Sequence, residues 1–177
     1  EDKYVVAHVG RFIHQKNHEF IIDIFKQIYH RNDNALLLLV GDGELMPMIK
    51  AKVHSLGLDK VVIFLGNRSD IADIYQAMDV FVMPSYYEGL GMVAVEAEIS
   101  GMPVICANTV PIEAKICDNL KYLSLNDPVS KWAEAVLAYK DGFERRNMKK
   151  AAVDAGYDIE TAAKRMTEWY KTLLKIE

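Results

Sequence analysis

The sequence predicts an α/β protein with a doubly wound parallel sheet of about six strands and a helical C-terminal tail. Short apolar runs rich in β-branched residues alternate with longer stretches whose apolar residues recur every three or four positions. Strands that are apolar on both sides are typical of parallel sheets, which helices cover on both faces. No linker, repeat or low-complexity tract interrupts the 177 residues, so we expect one domain over 1–177.

The individual elements follow from these two periods. Strands are predicted at residues 4–9, 35–40, 61–65, 80–83, 104–106 and 122–123, where apolar residues run almost without interruption. Helices are predicted at residues 18–30, 44–55, 71–77, 92–100, 129–139, 145–155 and 159–174. The first helix has an apolar stripe made of Phe20, Ile21, Ile24, Phe25 and Ile28. Asn17 is expected to cap that helix, and Ser69 the third one.

Composition argues against several classes of function. A formal net charge of -4 provides no basic surface for a nucleic-acid backbone. Cys106 and Cys117 have neither metal-ligand spacing nor the density of a disulfide framework, which favours a reducing cytoplasm. No apolar run is long enough to span a membrane, so any membrane contact would be peripheral. Because the chain begins without Met and its first strand starts at once, we expect a piece of a longer protein.

The segment after the first strand carries two cations. Arg11 and Lys16 follow Gly10 before the first helix begins. Ligands of open parallel sheets bind at the carboxyl ends of the strands, and a guanidinium with an ammonium suits the oxygens of a diphosphate. From spacing alone, two solvated loop charges are an equally good interpretation.

Glycines follow the second strand in the segment Gly41-Asp-Gly43. A match to the dinucleotide fingerprint G-x-G-x-x-G fails, because position 46 is Met. A tight turn that needs a positive φ explains these glycines at least as well as a role in binding does. The turn from Gly66 to Ser69 is open to the same two interpretations.

The stretch SYYEGLGMVAVEAEISG, which follows the fourth strand, places a loop before a helix that begins at Gly91 or Met92. The first amides of a helix have no partner within it and lie at the positive end of its dipole, so they bind phosphate readily. Glu88 precedes this helix and Glu96 lies within it, so we expect them to contact different hydroxyl-bearing parts of one ligand, such as a ribose and a sugar. Glu98 is expected to be exposed.

Together these segments resemble the carboxyl-terminal half of a retaining GT-B glycosyltransferase of glycosyltransferase family four. The similar residues run in order along nearly the whole chain: Gly10-Arg11, Lys16-Asn17, Val40-Gly-Asp-Gly43, Phe64-Leu-Gly66, Pro84-Ser85, Glu88 to Glu96 and Gly101-Met-Pro-Val-Ile105. The E-x7-E spacing, combined with the upstream Arg and Lys, is the most specific part. Gln15-Lys-Asn-His18 and Lys131-Trp-Ala-Glu134 are most similar to enzymes that build bacterial exopolysaccharide or capsular polysaccharide.

The resemblance implies a Rossmann-like domain, one half of a GT-B fold, that binds a nucleotide-sugar donor. Arg11 and Lys16 would neutralise the donor diphosphate and Glu88 would contact the transferred sugar, which makes these three the catalytic candidates. The candidates for nucleotide binding are Gly10, Asn67, Gly89, Leu90, Gly91, Met92, Val93 and Glu96. Among them, Glu96 would bind the ribose hydroxyls and Asn67 would lie near the base. No D-x-D motif occurs, and the resemblance implies a uridine diphosphate sugar donor and transfer without a metal ion or other cofactor.

The implied partners are the enzyme's own amino-terminal domain and a lipid-linked or oligosaccharide acceptor, which that domain would hold, with no nucleic acid. The protein is expected in the cytoplasm, at or near the inner face of the membrane, and this domain alone is expected to be inactive. The final helix would pack toward the other half, so its apolar residues would be exposed here. The loop at 108–113 lacks the Gly-Gly pair common in the family, so Glu113 receives no role.

Two alternatives stand beside this interpretation. A non-catalytic nucleotide-binding α/β module would use the same cations and carboxylates, and a GT-B-fold sugar-nucleotide epimerase would contain such a half. His14 and His18 lack a third ligand, so we expect loop residues rather than a zinc site. The aromatic residues expected in the core or in helix packing are Phe20, Phe25, Trp132, Trp169 and Tyr170.

Overall fold

A computed structural model describes residues 3–174 of the chain. Its six strands are β1 (Tyr4–Val9), β2 (Ala35–Val40), β3 (Val62–Gly66), β4 (Val80–Met83), β5 (Val104–Ala107) and β6 (Leu120–Leu123). They form one parallel sheet in the order β3-β2-β1-β4-β5-β6. The strand order reverses between β1 and β4, and open sheets of this kind bind ligands at that switch point. The predicted doubly wound parallel sheet is thus confirmed.

Seven α-helices lie in the described part of the chain. They are α1 (His18–Tyr29), α2 (Met46–Ser55), α3 (Ile71–Gln76), α4 (Met92–Ile99), α5 (Val129–Leu137), α6 (Lys149–Asp154) and α7 (Ile159–Leu174). Side chains of α1, α2 and α5 share one buried cluster with the sheet, and side chains of α3 and α4 share the other. Helices therefore cover both faces, as the apolar strands predicted.

Strand β2 shows why the strands lack a polar face. Leu37 and Leu39 point into the cluster beneath α1, whereas Leu38 and Val40 point into the cluster beneath α4. Successive side chains of a strand alternate between the two faces of a sheet, so both faces must be apolar when both are covered. Full burial of one such leucine stabilises the fold by about 1.5–3 kcal/mol.

Helix α6 begins four residues later than the predicted 145–155. Arg145 Nη1 donates a hydrogen bond to the main-chain oxygen of Tyr75 (3.1 Å), which holds this segment against α3. The Asn147 side chain then accepts a hydrogen bond from the amide of Lys149 (3.0 Å), where the helix starts. A tertiary contact and a local side-chain turn at Asn147 precede this boundary, and periodicity reveals neither of them.

One of the two predicted caps holds its position. Asn17 is the N-cap residue of α1, with φ of 54°, but its side-chain amide donates to the oxygen of Pro84 (3.1 Å) rather than accepting from the helix. The cap predicted at Ser69 is wrong. The residue before α3 is Asp70 rather than Ser69, and its carboxylate pairs with Arg68. The side chains of Asn17 and Asp70 thus bond to partners other than the helix that follows each of them.

The C-terminal tail is helical, as predicted, but α7 buries no residue. Trp169 and Tyr170 are 55% and 53% exposed and contact each other. They do not lie in the core, and their exposure agrees with the exposed apolar residues expected on the final helix. Trp132 and Phe25 are fully buried, as predicted. Within residues 3–174, no helix has the length and apolarity needed to cross a membrane.

Candidate functional site

Two loops meet at the switch point of the sheet. One follows β1 and carries Arg11, Gln15 and Lys16; the other follows β4 and leads into α4. The amide of Tyr86 donates to the oxygen of Gln15 (2.9 Å), and Asn17 donates to Pro84. These bonds hold together two segments that lie about seventy residues apart in the chain.

Lys16 and Glu88 form an ion pair where the two loops touch. The Lys16 Nζ lies 2.7 Å from Glu88 Oε1, and the two side chains are only 14% and 7% exposed. Gln15 Nε2 donates to the oxygen of Tyr87 (2.8 Å) and lies 3.4 Å from Glu88 Oε2. The structure therefore brings together a cation and a carboxylate that the sequence singled out separately. Removal of either partner would leave the other largely buried without a counter-charge.

The start of α4 borders the same place. Gly91 precedes the helix with φ of 84°, and a Cβ there would lie 3.1 Å from Val110 Cγ1. The amides of residues 91–93 open the helix, and such amides have no acceptor within it. Gly89, in the loop before it, faces open space. A phosphate could approach this backbone closely.

A cavity of about 250 Å³ lies beside this helix. Its lining residues are Val9, Gly10, Arg11, Val40, Gly41, Asn67, Arg68, Ile71 and Glu96. Four of the predicted site residues, Gly10, Arg11, Asn67 and Glu96, thus share one cavity although they come from different loops and a helix. Arg11 is exposed and forms no ion pair with any residue in 3–174, so its guanidinium is accessible to an anion.

Glu96 has one oxygen occupied and one accessible. The hydroxyl of Tyr75, on α3, donates to Glu96 Oε2 (3.0 Å). Glu96 Oε1 accepts no hydrogen bond from the described residues, and the side chain is half-buried on the cavity wall. The sequence missed Tyr75, because one tyrosine in a predicted helix carries no mark of what its hydroxyl will contact.

The glycines after β2 have a structural role. Gly41 has φ of 130°, and a Cβ there would lie 2.1 Å from the oxygen of Gly10. The β2 loop therefore packs directly on the β1 loop, which only glycine permits. Of the two interpretations left by the sequence, the structure supports the tight turn for Gly41.

Glu98 is not exposed, contrary to expectation. It is fully buried, and its two oxygens accept hydrogen bonds from the amides of Ile116 (3.2 Å) and Cys117 (2.7 Å). Burial raises the pKa of Glu98 to about 7, although these two amide donors oppose the shift. Glu98 thus anchors the segment before β6 and lies away from the cavity.

The two histidines differ from each other. His14 is exposed and stacks on Tyr86 (4.7 Å between ring centroids). His18 is no loop residue: it opens α1, is 2% exposed and stacks on Phe12 (4.0 Å). Burial, followed by the charge of Lys16, lowers the pKa of His18 to about 4, so its ring is neutral at neutral pH. Nowhere in residues 3–174 do three His, Cys, Asp or Glu residues converge as metal ligands would.

The chain is similar to known proteins over most of its length. The family model described as glycosyl transferases group 1 matches residues 1–169. The chain is similar to the putative glycosyltransferase EpsF of Bacillus subtilis, at 36% identity over 162 residues, which is 90% of this chain and 42% of EpsF. The chain therefore spans less than half the length of that relative.

Solved structures share the fold. Anabaena Alr3699/HepE, in a crystal with UDP and glucose, has a TM-score of 0.80 at 23% identity over 96% of this chain and 48% of its own. The C-terminal domain of LpcC, a glycosyl transferase group 1 family protein from Francisella tularensis, has a TM-score of 0.74 at 21% identity. That match covers 88% of this chain and 87% of the LpcC domain.

Proposed function

The chain belongs to the glycosyl transferases group 1 family, and on this premise we propose that it is the donor-binding, carboxyl-terminal domain of a glycosyltransferase. It binds a nucleoside diphosphate sugar, and the complete enzyme transfers the sugar to an acceptor in polysaccharide biosynthesis. The similarity to EpsF and to the isolated C-terminal domain of LpcC supports this division of the enzyme.

One observation carries the proposal: Lys16, on the loop that bears Arg11, pairs with Glu88, on the loop that leads into α4. The Lys16 side chain also lies against Gly10, which lines the cavity of Arg11 and Glu96. Cationic groups and helix amides that suit a diphosphate thus lie near carboxylates that can accept hydrogen bonds from hydroxyl groups. No single one of these features points to a nucleotide sugar. Their convergence at the switch point does.

Each residue has a proposed role. Arg11, Lys16 and the amides of residues 91–93 hold the diphosphate, and Glu88 accepts hydrogen bonds from the transferred sugar. Glu96 accepts hydrogen bonds from the ribose, and the backbone at Gly66 and Asn67 contacts the base. The carbonyl of Gly66 accepts a hydrogen bond from the amide of Gly41 (2.8 Å), which holds this edge of the cavity in place.

Transfer separates a nucleoside diphosphate, whose negative charge grows as the sugar leaves. Fixed cations and helix amides that stabilise this charge lower the barrier, and such preorganised groups are often the largest single contribution to catalysis. We propose that Arg11 and Lys16 provide this stabilisation without a divalent ion. Nucleotide affinity should therefore be the same in magnesium and in EDTA.

Titration calorimetry tests the donor site directly. The protein would be titrated with uridine, guanosine and adenosine diphosphates in EDTA, and we expect one of them to bind, with uridine diphosphate the first candidate. Lys16→Ala should weaken that binding by more than about tenfold, since it removes a charge beside the diphosphate. As a matched control, Lys26→Ala on the far part of α1 should leave affinity unchanged. A folded protein that binds none of the three nucleotides would refute the proposed site.

The acceptor-holding half of the enzyme has a proposed contact surface on α7. The apolar residues Ile159, Met166, Trp169, Tyr170, Leu173 and Leu174 of this helix are all more than half exposed. We propose that the amino-terminal domain covers them and holds a lipid-linked or oligosaccharide acceptor at the inner face of the membrane. In the complete enzyme, Trp169 fluorescence should then report a buried indole, and the enzyme should sediment with membranes.

Analysis of the reaction products separates sugar transfer from epimerisation of the donor and from nucleotide binding without a reaction.

A further inference from the structure

Tyr75 is a buried side chain that contacts Glu96, the carboxylate proposed to bind the ribose, although Tyr75 itself does not line the cavity. It lies on α3, is 3% exposed and packs edge-on against Phe81. Its hydroxyl donates to Glu96 Oε2 (3.0 Å), with the oxygen of Val93 as a second, longer acceptor (3.4 Å). None of the residues that line the cavity makes a comparable contact to Glu96.

We propose that Tyr75 is a positioning residue for nucleotide recognition: its hydroxyl fixes the Glu96 carboxylate so that Oε1 faces the ribose. This inference rests on the proposed function of Glu96. A carboxylate on a free side chain must be ordered when a ligand binds, and that ordering lowers affinity. A hydrogen bond that already restrains it reduces the loss.

The surroundings of Tyr75 support a fixed donor. Arg145 Nη1 donates to the main-chain oxygen of Tyr75 (3.1 Å) and holds this turn of α3 in place. Burial, and then the charge of Glu96, raise the pKa of the Tyr75 phenol above its ordinary value. The hydroxyl therefore keeps its proton at neutral pH, and it remains a donor to the carboxylate.

The test uses titration calorimetry with uridine diphosphate and with its analogue that lacks both ribose hydroxyls. The wild-type protein should prefer uridine diphosphate, and Glu96→Gln should remove most of that preference. Tyr75→Phe should weaken the binding of uridine diphosphate by about fivefold, less than loss of a hydrogen bond to a charged group, because it removes only the restraint on Glu96. It should leave the affinity for the analogue unchanged, and it should add little loss to Glu96→Gln, because both variants remove one effect.

Tyr4 provides a matched control. It is also buried, at 6% exposure, and its hydroxyl donates to the oxygen of Val136 (2.5 Å) on the other side of the sheet. Tyr4→Phe removes one buried hydroxyl without touching the cavity, so it should lower the thermal midpoint but not nucleotide affinity. Comparison of the two Phe variants separates loss of stability from loss of recognition.

The possible outcomes are distinct. If Tyr75→Phe weakens both nucleotides equally, or neither, Tyr75 is only a packing residue and the inference is wrong. If Glu96→Gln removes the ribose preference and Tyr75→Phe does not, only the role of Tyr75 falls. If the wild-type protein fails to distinguish the two nucleotides, the proposed ribose contact falls, and the role of Tyr75 falls with it.

Discussion

The two carboxylates inside α4, Glu96 and Glu98, are two residues apart and have opposite environments. Glu96 is half-buried on a cavity wall, where a neutral phenol occupies one oxygen and the other is accessible. Glu98 is fully buried, and main-chain amides occupy both of its oxygens. A charged group with accessible hydrogen-bonding capacity in a cavity can bind a ligand. A buried carboxylate whose oxygens already accept hydrogen bonds from main-chain amides stabilises the fold instead.

The largest expected effect comes from Glu98→Ala. It empties a fully buried site and leaves the partly buried amides of Ile116 and Cys117 without their acceptor, so the free energy of unfolding should fall by about 3 kcal/mol. Urea denaturation measures this, with the exposed Glu160→Ala as the control. A loss below about 1 kcal/mol would mean that water replaces the carboxylate.

The pH dependence of stability should also come from Glu98. Its pKa rises from 4.5 to about 7 on folding, so the folded state binds this proton more tightly. The contribution of Glu98 to stability is then fully present below about pH 4.5 and is lost as the pH rises through about 7. After allowance for solvent screening, we expect wild-type protein to lose on the order of 1 to 2 kcal/mol relative to Glu98→Gln between about pH 5 and pH 8. Parallel curves for the two proteins would contradict this.

Glu96→Gln should affect nucleotide binding and leave stability almost unchanged, which is the reverse of what we expect for Glu98. The amide oxygen that this substitution introduces can still accept from Tyr75, so stability should change by less than about 0.5 kcal/mol. Affinity for uridine diphosphate should fall about tenfold, because a neutral amide oxygen is a weaker acceptor for ribose hydroxyls. Glu98→Gln, tested in the same titration, should bind normally. If the two variants behaved alike, the contrast between the carboxylates would be unfounded.

The smallest expected effect is a gain in nucleotide affinity, from Glu88→Gln. Glu88 forms an ion pair with Lys16. Glu88→Gln should therefore leave the Lys16 ammonium more available to a diphosphate. Uridine diphosphate, which lacks the transferred sugar that Glu88 would contact, should bind about twofold to threefold more tightly. The complete enzyme should nevertheless transfer sugar more slowly. Unchanged affinity in calorimetry would show that Lys16 can serve both anions at once.

Much of the site could be expected from the sequence, because its parts lie in loops that follow strands. Ligands bind at the carboxyl ends of parallel strands, and the sequence places Arg11 and Glu88 in loops at those ends. The status of Glu98 could not be predicted in this way. Residues two apart on a helix point about 200° away from each other, so Glu96 and Glu98 face different neighbours.

The same limit applies to the ends of the chain's helices and to its aromatic residues. The start of α6 depends on Arg145 reaching α3, and Trp169 is exposed because α7 buries none of its residues against the described chain. Apolar periodicity shows that a helix has an apolar face. It does not show which surface that face meets.

The sequence by itself determined the parallel α/β sheet, the order of its elements and the loops that carry the candidate residues. Those features depend on local period and on chain direction, which neighbouring residues encode. Only the tertiary structure decided that Lys16 pairs with Glu88, that Tyr75 reaches Glu96 and that Glu98 is buried. Each of these depends on contacts between segments far apart in the chain, where burial and partner geometry, rather than residue type, determine what a charged group does.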